Sequence, residues 1–160
     1  MKETLKLALI QAPLVWENPA ANRAYFSGKI SSISENVDLV ILPEMFTTGF
    51  TMNAAPNAET MDGPTVEWMK TLAKEKNIAI TGSVIIIENE NYFNRMLFVT
   101  PEGVIGKYDK RHLFTLAKEE RTYSPGKEKV IIDYKGWNIC LMICYDLRFP
   151  VWSRNVEGYN

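Results

Sequence analysis

Two short apolar segments with a helix signal between them constrain the fold of this chain more than any other feature. Residues 5–12 (LKLALIQA) and 37–42 (VDLVIL) are mostly apolar, and each is followed at once by proline. Between them, Asn18 and Pro19 are typical of a helix cap and of the first helical position, so a helix is predicted through about residue 35. A strand, a helix and a second strand in this order predict a βαβ unit with parallel strands.

The rest of the chain continues this alternation with one long interruption. Helical spacing of apolar residues predicts a second helix over 66–76, and Pro150 opens a last helix that runs towards Glu157. Apolar runs predict strands over 78–87, 93–100, 104–109, 130–134 and 137–144. Residues 110–126 form a polar connection, and a loop of this length within a compact domain is usually functional or disordered.

The pattern near the end of the sequence leaves the fold class open. Nothing after the last predicted helix covers the outer flank of the strand over 137–144. One alternative is an incomplete α/β fold, and the other is a small, complete α+β domain.

Charge and composition exclude several classes of protein. Eighteen Lys and Arg residues against nineteen Asp and Glu give a net charge of −1, which provides neither a nucleic-acid footprint nor a basic membrane face. No apolar run approaches the roughly 18 residues that a membrane helix needs. One histidine and two cysteines are too few for an ordinary Cys/His zinc site, so we expect no metal.

The two cysteines also indicate the cellular compartment. Cys140 and Cys144 are predicted to lie on one strand with their Cα atoms roughly 13 Å apart. A disulfide needs less than about 7 Å between these atoms. Two reduced thiols are typical of a reducing environment, and we expect the protein to be cytoplasmic.

Four side chains are candidates for chemistry. Cys144 ends a predicted strand just before a helix, which resembles a nucleophile elbow, although most cysteines of this kind are small buried hydrophobes. Its base is either His112, the one histidine, or Glu44, which follows a buried strand and a proline and would be partly desolvated. A lone histidine is more often structural, and a glutamate in this position is more often a helix-start or salt-bridge carboxylate. Lys110 ends another strand and is either a surface charge or a cation aimed into a site. Cys140, in the middle of its strand, is expected to be inert.

Three segments together resemble one known family. LPEMF, YDKRHLF and ICYDLRFP are similar, in order and spacing, to the three catalytic motifs of the nitrilase superfamily of carbon–nitrogen hydrolases. The opening strand followed by Gln-Ala-Pro is similar too, and the resemblance extends over essentially all 160 residues. Within the superfamily, the chain looks most like the bacterial ω-amidases, which cleave the terminal amide of α-keto acids such as 2-oxoglutaramate.

The resemblance implies a fold and an assembly. Members of the superfamily are α/β proteins with a four-layer αββα sandwich, in which helices cover two central sheets. Their chains continue well past the cysteine motif, so we expect residues 1–160 to be one carbon–nitrogen hydrolase domain that is truncated at its C-terminal end. The resemblance also implies a homodimer, a small-molecule amide substrate and no cofactor.

The resemblance implies roles for the candidate residues. Glu44 would be the general base, Lys110 the cation that stabilises the oxyanion, and Cys144 the nucleophile that forms a thioester. The backbone N–H of Tyr145 would be a second oxyanion donor. The family's second glutamate aligns with Glu119, which leaves its neighbour on the surface; without the family, both glutamates would be assigned to a solvated charge run.

Substrate recognition is predicted from three further side chains. Arg148 is a candidate for binding the carboxylate of an α-keto acid, and its alternative is a structural ion pair with Asp146 or Glu157. Phe46 and Phe114 flank catalytic residues and could form the wall of an apolar slot, although core packing is the commoner role of any one aromatic residue.

The sequence leaves three functions open. The first is an amide hydrolase. The second is an acyltransferase, in which an amine rather than water accepts the acyl group, because both reactions share the same first half. The third is a non-catalytic fragment or pseudoenzyme; the presence of all four expected catalytic residues argues against it, and the expected truncation argues for it.

Overall fold

The computed structural model describes residues 4–34, 36–156 and 158–159. The strands are β1 (Leu7–Leu9), β2 (Leu39–Ile41), β3 (Ala79–Glu88), β4 (Asn91–Thr100), β5 (Gly103–Asp109), β6 (Ile131–Tyr134) and β7 (Trp137–Cys140). The helices are α1 (Pro19–Ser31), α2 (Pro64–Lys76) and α3 (Pro150–Ser153), and single 3-10 turns cover Thr115–Ala117, Glu119–Arg121 and Cys144–Arg148. None of the helices in the described ranges is long and apolar enough to cross a bilayer.

The first five strands form a mixed sheet in the order β1-β2-β3-β4-β5. β1, β2 and β3 run parallel, whereas β4 and β5 continue the sheet antiparallel. The predicted βαβ unit is confirmed, because α1 connects the parallel strands β1 and β2. The Asn18 side chain accepts a hydrogen bond from the Ala21 N–H and caps α1, as the sequence predicted.

Successive side chains of each strand point to opposite faces of the sheet, so the sheet separates two apolar cores. Val40 on β2, Ile80 on β3 and Leu97 on β4 belong to the core that α1 and α2 cover. Their neighbours Leu39 and Ala79 belong to the core on the opposite face. One face of the sheet therefore packs on helices, and the other is free to pack on a second sheet.

The second sheet is the hairpin β6–β7, which packs on that opposite face. The two sheets approach closely at Gly106 on β5, where an added Cβ would lie 2.2 Å from Ile132 Cδ1. The described residues thus build a helix layer, a sheet and a second sheet, in the order of the first three layers of the expected sandwich.

Two predicted boundaries near the end of the chain are wrong. The strand predicted over 137–144 ends at Cys140, so Cys140 lies at a strand end and not in mid-strand. Ile143 remains extended, but its N–H bonds to the Asp146 carboxylate at 3.0 Å and not to a neighbouring strand. The last helix covers only Pro150–Ser153, because Arg154 adopts an extended backbone, and Glu157 lies outside the described residues.

Candidate active site

The topology brings Glu44 and Lys110 to one end of the five-stranded sheet. Glu44 follows the carboxyl end of β2, which is parallel to β3. Because β4 runs antiparallel to β3, it begins at this same end, and β5 returns to it. Lys110 is the first residue after β5, and its N–H donates to the carbonyl of Asn94 at 3.0 Å.

Lys110 lies between two glutamates. Its Nζ is 2.7 Å from Glu44 Oε1, 2.9 Å from Glu119 Oε2 and 3.3 Å from Glu119 Oε1. The lysine and Glu119 side chains are fully buried, and Glu44 is 20% exposed. An ammonium has three protons, so two carboxylates leave one proton for a further acceptor.

The pKa of Lys110 lies above its ordinary value. Burial alone would lower this pKa, but the negative charges of Glu44 and Glu119 and their hydrogen bonds outweigh burial. Lys110 therefore stays an ammonium at neutral pH and can place a positive charge at the site.

Glu119, not Glu120, reaches the site. The Glu119 carboxylate is buried and also accepts a hydrogen bond from the Phe114 N–H at 2.6 Å, whereas Glu120 is exposed. Both glutamates belong to the 3-10 turn Glu119–Arg121, in which consecutive side chains project about 120° apart, so the two point in different directions.

Cys144 occupies a sharp turn between an extended segment and a helical turn. Its φ is +40°, a left-handed conformation that is uncommon for a residue with a side chain, and Ile143 before it is extended. The 3-10 turn Cys144–Arg148 begins there. N–H groups at the start of such a turn have no partner within the turn, as an oxyanion site requires.

The pKa of the Cys144 thiol is raised. Burial is the largest cause, and the negative charge of Glu44 and a hydrogen bond with it act in the same direction, while Lys110 opposes them. The resting sulfur is therefore a neutral thiol, which is a weak nucleophile until a base removes its proton.

Asp146 joins the cysteine turn to the lysine loop, a role that no local pattern in the sequence indicates. Its buried carboxylate accepts hydrogen bonds from Tyr108 OH at 2.6 Å, from Ile143 N at 3.0 Å and from both the backbone N and ring Nδ1 of His112 at 2.9 and 2.8 Å. The His112 ring stacks on Phe149 at 3.7 Å. His112 therefore has a structural role, and Glu44 is the base candidate beside Cys144.

An open cavity of about 690 Å³ lies in front of these groups. It is lined by Glu44, Phe50, Lys110, Phe114, Leu116, Cys144, Tyr145 and Arg148. Phe50 and Leu116 were not predicted. Phe50 lies four residues beyond LPEMF, and its ring is 5.1 Å from Lys110 Nζ, a contact that no local pattern signals.

One predicted lining residue is wrong. Phe46 is fully buried in the core under the helices, where its ring packs at 5.6 Å from Phe26 and 5.7 Å from Trp68. The cause is the turn at Met45, whose φ of 45° sends Glu44 and Phe46 to opposite sides. Met45 itself is held by its N–H, which donates to Ser83 Oγ at 2.8 Å.

The other predicted recognition residues lie at the cavity. The Tyr145 ring packs edge-on against Phe114, with 5.1 Å between ring centroids. Arg148 is exposed at the cavity and forms no ion pair with any residue that the structure describes. Its proposed structural partner Asp146 is occupied by other donors, and Glu157 lies outside the described residues.

Asn94 also belongs to the site, and it was not predicted from the sequence. Its side-chain Nδ2 lies 2.7 Å from Glu44 Oε1 and 3.3 Å from Glu119 Oε1. A signal did exist, because Asn94 and Arg95 are polar residues within an otherwise apolar strand, and a buried polar residue is informative. No group of three or more His, Cys, Asp or Glu side chains suited to a metal ion occurs in the described part of the chain.

Comparison with known proteins gives a consistent result. A sequence model of the family described as carbon-nitrogen hydrolase matches residues 6–157. The omega-amidase YafV of Yersinia enterocolitica is 46% identical over 157 residues, which is 98% of this chain and 60% of the relative. A 2-oxoglutaramate amidase of Bacillus subtilis is 32% identical over 151 residues, which is 92% of this chain and 58% of the relative.

A solved structure has the same fold. The crystal structure of a CN-hydrolase superfamily protein from Xanthomonas campestris, with an arsenic adduct in its active site, matches with a TM-score of 0.92 and 46% identity. The match covers 97% of this chain and 60% of that one, so the chain spans about 60% of the length of these relatives. The predicted α/β fold of the nitrilase type is confirmed, and the chain belongs to the carbon–nitrogen hydrolases of the nitrilase superfamily.

Proposed function

We propose that the protein carrying this chain is an amide hydrolase in which Cys144 is the nucleophile, Glu44 the general base and Lys110 the oxyanion cation. One observation carries the proposal. A thiol, a carboxylate and an ammonium meet in one open cavity, and the ammonium is 2.7 Å from the carboxylate. This set of groups suits attack on an uncharged carbonyl carbon followed by expulsion of an amine.

Acylation begins with the neutral thiol. Glu44 takes the proton of Cys144 as the sulfur attacks the amide carbon, and the carbonyl oxygen becomes an alkoxide. The third proton of Lys110 and the Tyr145 N–H stabilise this charge. The proton on Glu44 then passes to the amide nitrogen, the C–N bond breaks, ammonia leaves, and an acyl thioester remains on Cys144.

Deacylation repeats these steps with water. Glu44, ionised again, takes a proton from a water molecule that attacks the thioester carbon. The tetrahedral intermediate expels the sulfur, which recovers the proton from Glu44, and the acid leaves. Glu119 stays in contact with Lys110 throughout, since its carboxylate accepts hydrogen bonds from Lys110, the Phe114 N–H and Asn94.

The substrate class follows from the remaining lining residues. Phe50, Phe114 and Tyr145 offer an apolar wall, and Arg148 offers one unpaired cation at the cavity. A small chain with an amide at one end and a carboxylate at the other fits this arrangement. With two relatives named omega-amidase and 2-oxoglutaramate amidase, we assign ω-amides of small α-keto acids as the substrates.

Ammonia release from a panel of amides tests this function. We expect release from 2-oxoglutaramate and little release from amides of similar length without a carboxylate. Arg148→Gln removes the cation, so its KM for the anionic amide should rise roughly 10- to 100-fold while kcat changes little. Arg154→Gln, an exposed arginine away from the cavity, is the matched control. Equal turnover of charged and uncharged amides would refute the substrate assignment.

Two further properties belong to the same proposal. We expect a homodimer in the cytoplasm, as the family resemblance implies. Neither cysteine, both in described segments, forms a disulfide, which supports a reducing compartment. Light scattering coupled to size-exclusion chromatography measures the assembly, and a monomer at micromolar concentration would contradict it.

A further inference from the structure

A buried asparagine bridges the two glutamates of the site. Asn94 is fully buried, and its Nδ2 donates to Glu44 Oε1 at 2.7 Å and to Glu119 Oε1 at 3.3 Å. We propose that Asn94 is a positioning residue that holds one oxygen of Glu44, so that the other oxygen is presented to the Cys144 thiol. This inference rests on the proposed function, because it assigns Glu44 the role of base.

The orientation of the Asn94 amide is fixed by charge. Nδ2 faces two carboxylate oxygens, and the reverse orientation would place the amide oxygen against them. Oδ1 consequently lies buried and accepts no hydrogen bond from any residue that the structure describes. An unsatisfied buried acceptor is destabilising, and an apolar side chain would avoid it. Stability therefore does not explain why position 94 is an asparagine. The need of two carboxylates for a hydrogen-bond donor does explain it.

Asn94 and Lys110 act on the same oxygen of Glu44. Oε1 accepts from Nδ2 of the asparagine and from Nζ of the lysine, each at 2.7 Å. Neither donor contacts Oε2, so this second oxygen remains available for the proton of Cys144. Two donors on one oxygen also restrict rotation of the carboxyl group, which fixes where the free oxygen points.

Strand pairing fixes the two donors relative to each other. Asn94 lies on β4 and Lys110 follows β5, and the Lys110 N–H donates to the Asn94 carbonyl at 3.0 Å. Their sequence neighbours form a two-pronged ion pair, with Arg95 Nε 2.6 Å from Asp109 Oδ1 and Arg95 Nη2 2.9 Å from Asp109 Oδ2. This pair locks the register of β4 and β5 beside the site, as rigid support for a base requires.

The test measures acylation of Cys144 with p-nitrophenyl acetate, whose burst of nitrophenol does not depend on the natural amide. Asn94→Leu keeps the approximate size and removes the donor. We expect the burst rate at neutral pH to fall about 100-fold. The burst amplitude should stay at the wild-type value, because deacylation needs the same base and slows together with acylation, whereas partial unfolding would reduce the amplitude.

Two further variants distinguish loss of the hydrogen bond to Glu44 from a general effect of losing a buried hydrogen bond. Thr81→Val removes another buried side-chain hydrogen bond, to the Leu97 carbonyl, without touching the site, and its burst rate should match the wild type. Asn94→Asp preserves shape but cannot donate while ionised and adds a negative charge beside both glutamates, so its burst rate should fall at least as far as that of Asn94→Leu. Thermal melts establish that each variant is folded.

The outcomes separate this inference from the proposed function. A burst rate of Asn94→Leu that falls no further than that of Thr81→Val would overturn the inference. A wild-type protein without any burst would overturn it as well. A normal burst without ammonia release from any amide would refute the amidase proposal and leave the role of Asn94 intact.

Discussion

In the proposed mechanism, Glu44 can give up its negative charge because Lys110 retains Glu119 as a second anionic partner. When Glu44 takes the proton of Cys144, the ammonium still contacts Glu119 at 2.9 Å, so its charge is not left alone in a buried place. At that moment the attraction of Glu44 for Lys110 weakens, and the ammonium is free to interact with the alkoxide. A lysine between two glutamates thus links removal of a proton to stabilisation of an oxyanion.

The first residue-scale prediction concerns Glu44→Gln. This change removes a negative charge that raises the pKa of Cys144, so that pKa should fall and iodoacetamide should alkylate Cys144 at lower pH than in the wild type. Amide turnover should fall by about 10²–10⁴ because the amide cannot accept the proton. Rate–pH profiles of alkylation and of ammonia release measure both effects.

Glu120→Gln is the matched control, since Glu120 is exposed on the adjacent position to Glu119. Its alkylation profile should match the wild type. Alkylation of Glu44→Gln shifted to higher pH would contradict the electrostatic account, and labelling of Cys140 before Cys144 would contradict the choice of nucleophile.

The second residue-scale prediction concerns Lys110→Met. Loss of the oxyanion donor should reduce kcat by about 10²–10³. The variant also leaves two carboxylates facing each other without a cation, so the melting temperature should fall at neutral pH. Protonation of one carboxylate relieves their repulsion, so this deficit should shrink as the pH is lowered. Lys118→Met, an exposed lysine of the same loop, should change neither quantity; a deficit independent of pH would contradict the account.

At the scale of elements, the site depends on one carboxylate, that of Asp146, which anchors three segments of the chain to one another. Asp146 accepts hydrogen bonds from β5 through Tyr108, from the loop after Lys110 through His112, and from the extended segment before Cys144 through Ile143. The carboxylate thereby fixes the nucleophile turn against the strand that carries the lysine. This arrangement joins residues 38 positions apart, so it could not be read from local spacing.

Asp146→Ala tests this anchor. The variant leaves the Tyr108 hydroxyl and two backbone N–H groups without their acceptor, and we expect a loss of roughly 3 kcal/mol in the free energy of unfolding. Urea denaturation measures the loss. Asp133→Asn changes an exposed carboxylate of β6 that accepts from the Gly136 N–H at 3.3 Å; it is the control and should change little. Equal stability of the two variants would show that Asp146 is not an anchor.

The elements themselves were largely predictable because their signals are local. Proline and apolar periodicity located the strands around Leu39–Ile41 and Ala79–Glu88 and the helix Pro64–Lys76. The strand end at Cys140 was not predictable, since the apolar run continues to Ile143, whose N–H bonds to the Asp146 carboxylate and not to a neighbouring strand. The pattern of the strand does not show this, because Asp146 lies beyond the apolar run.

At the scale of the whole molecule, one sheet separates two cores, and its end carries the site. Glu44, Lys110 and Cys144 are brought together from three segments by the mixed order of the strands and by the hairpin packed on the sheet. These three were predicted because LPEMF, YDKRHLF and ICYDLRFP resemble the catalytic motifs of one family, whereas position along the chain alone left each of them open between a catalytic and a structural role. Phe46 was misplaced and Asn94 missed because side-chain direction depends on Met45 and on strand pairing across the sheet.

The central claim is that amide cleavage passes through a thioester on Cys144, and trapping this intermediate tests it most directly. The protein is mixed with 2-oxoglutaramate, quenched in acid within the first turnover and digested, and the peptides are analysed by mass spectrometry. We predict the mass of the acyl group on the peptide that contains Cys144. This acylated peptide should accumulate before steady-state ammonia release and should be absent from Cys144→Ala. Ammonia release at the full rate with no acyl group on Cys144, or with the group on Cys140, would contradict the account.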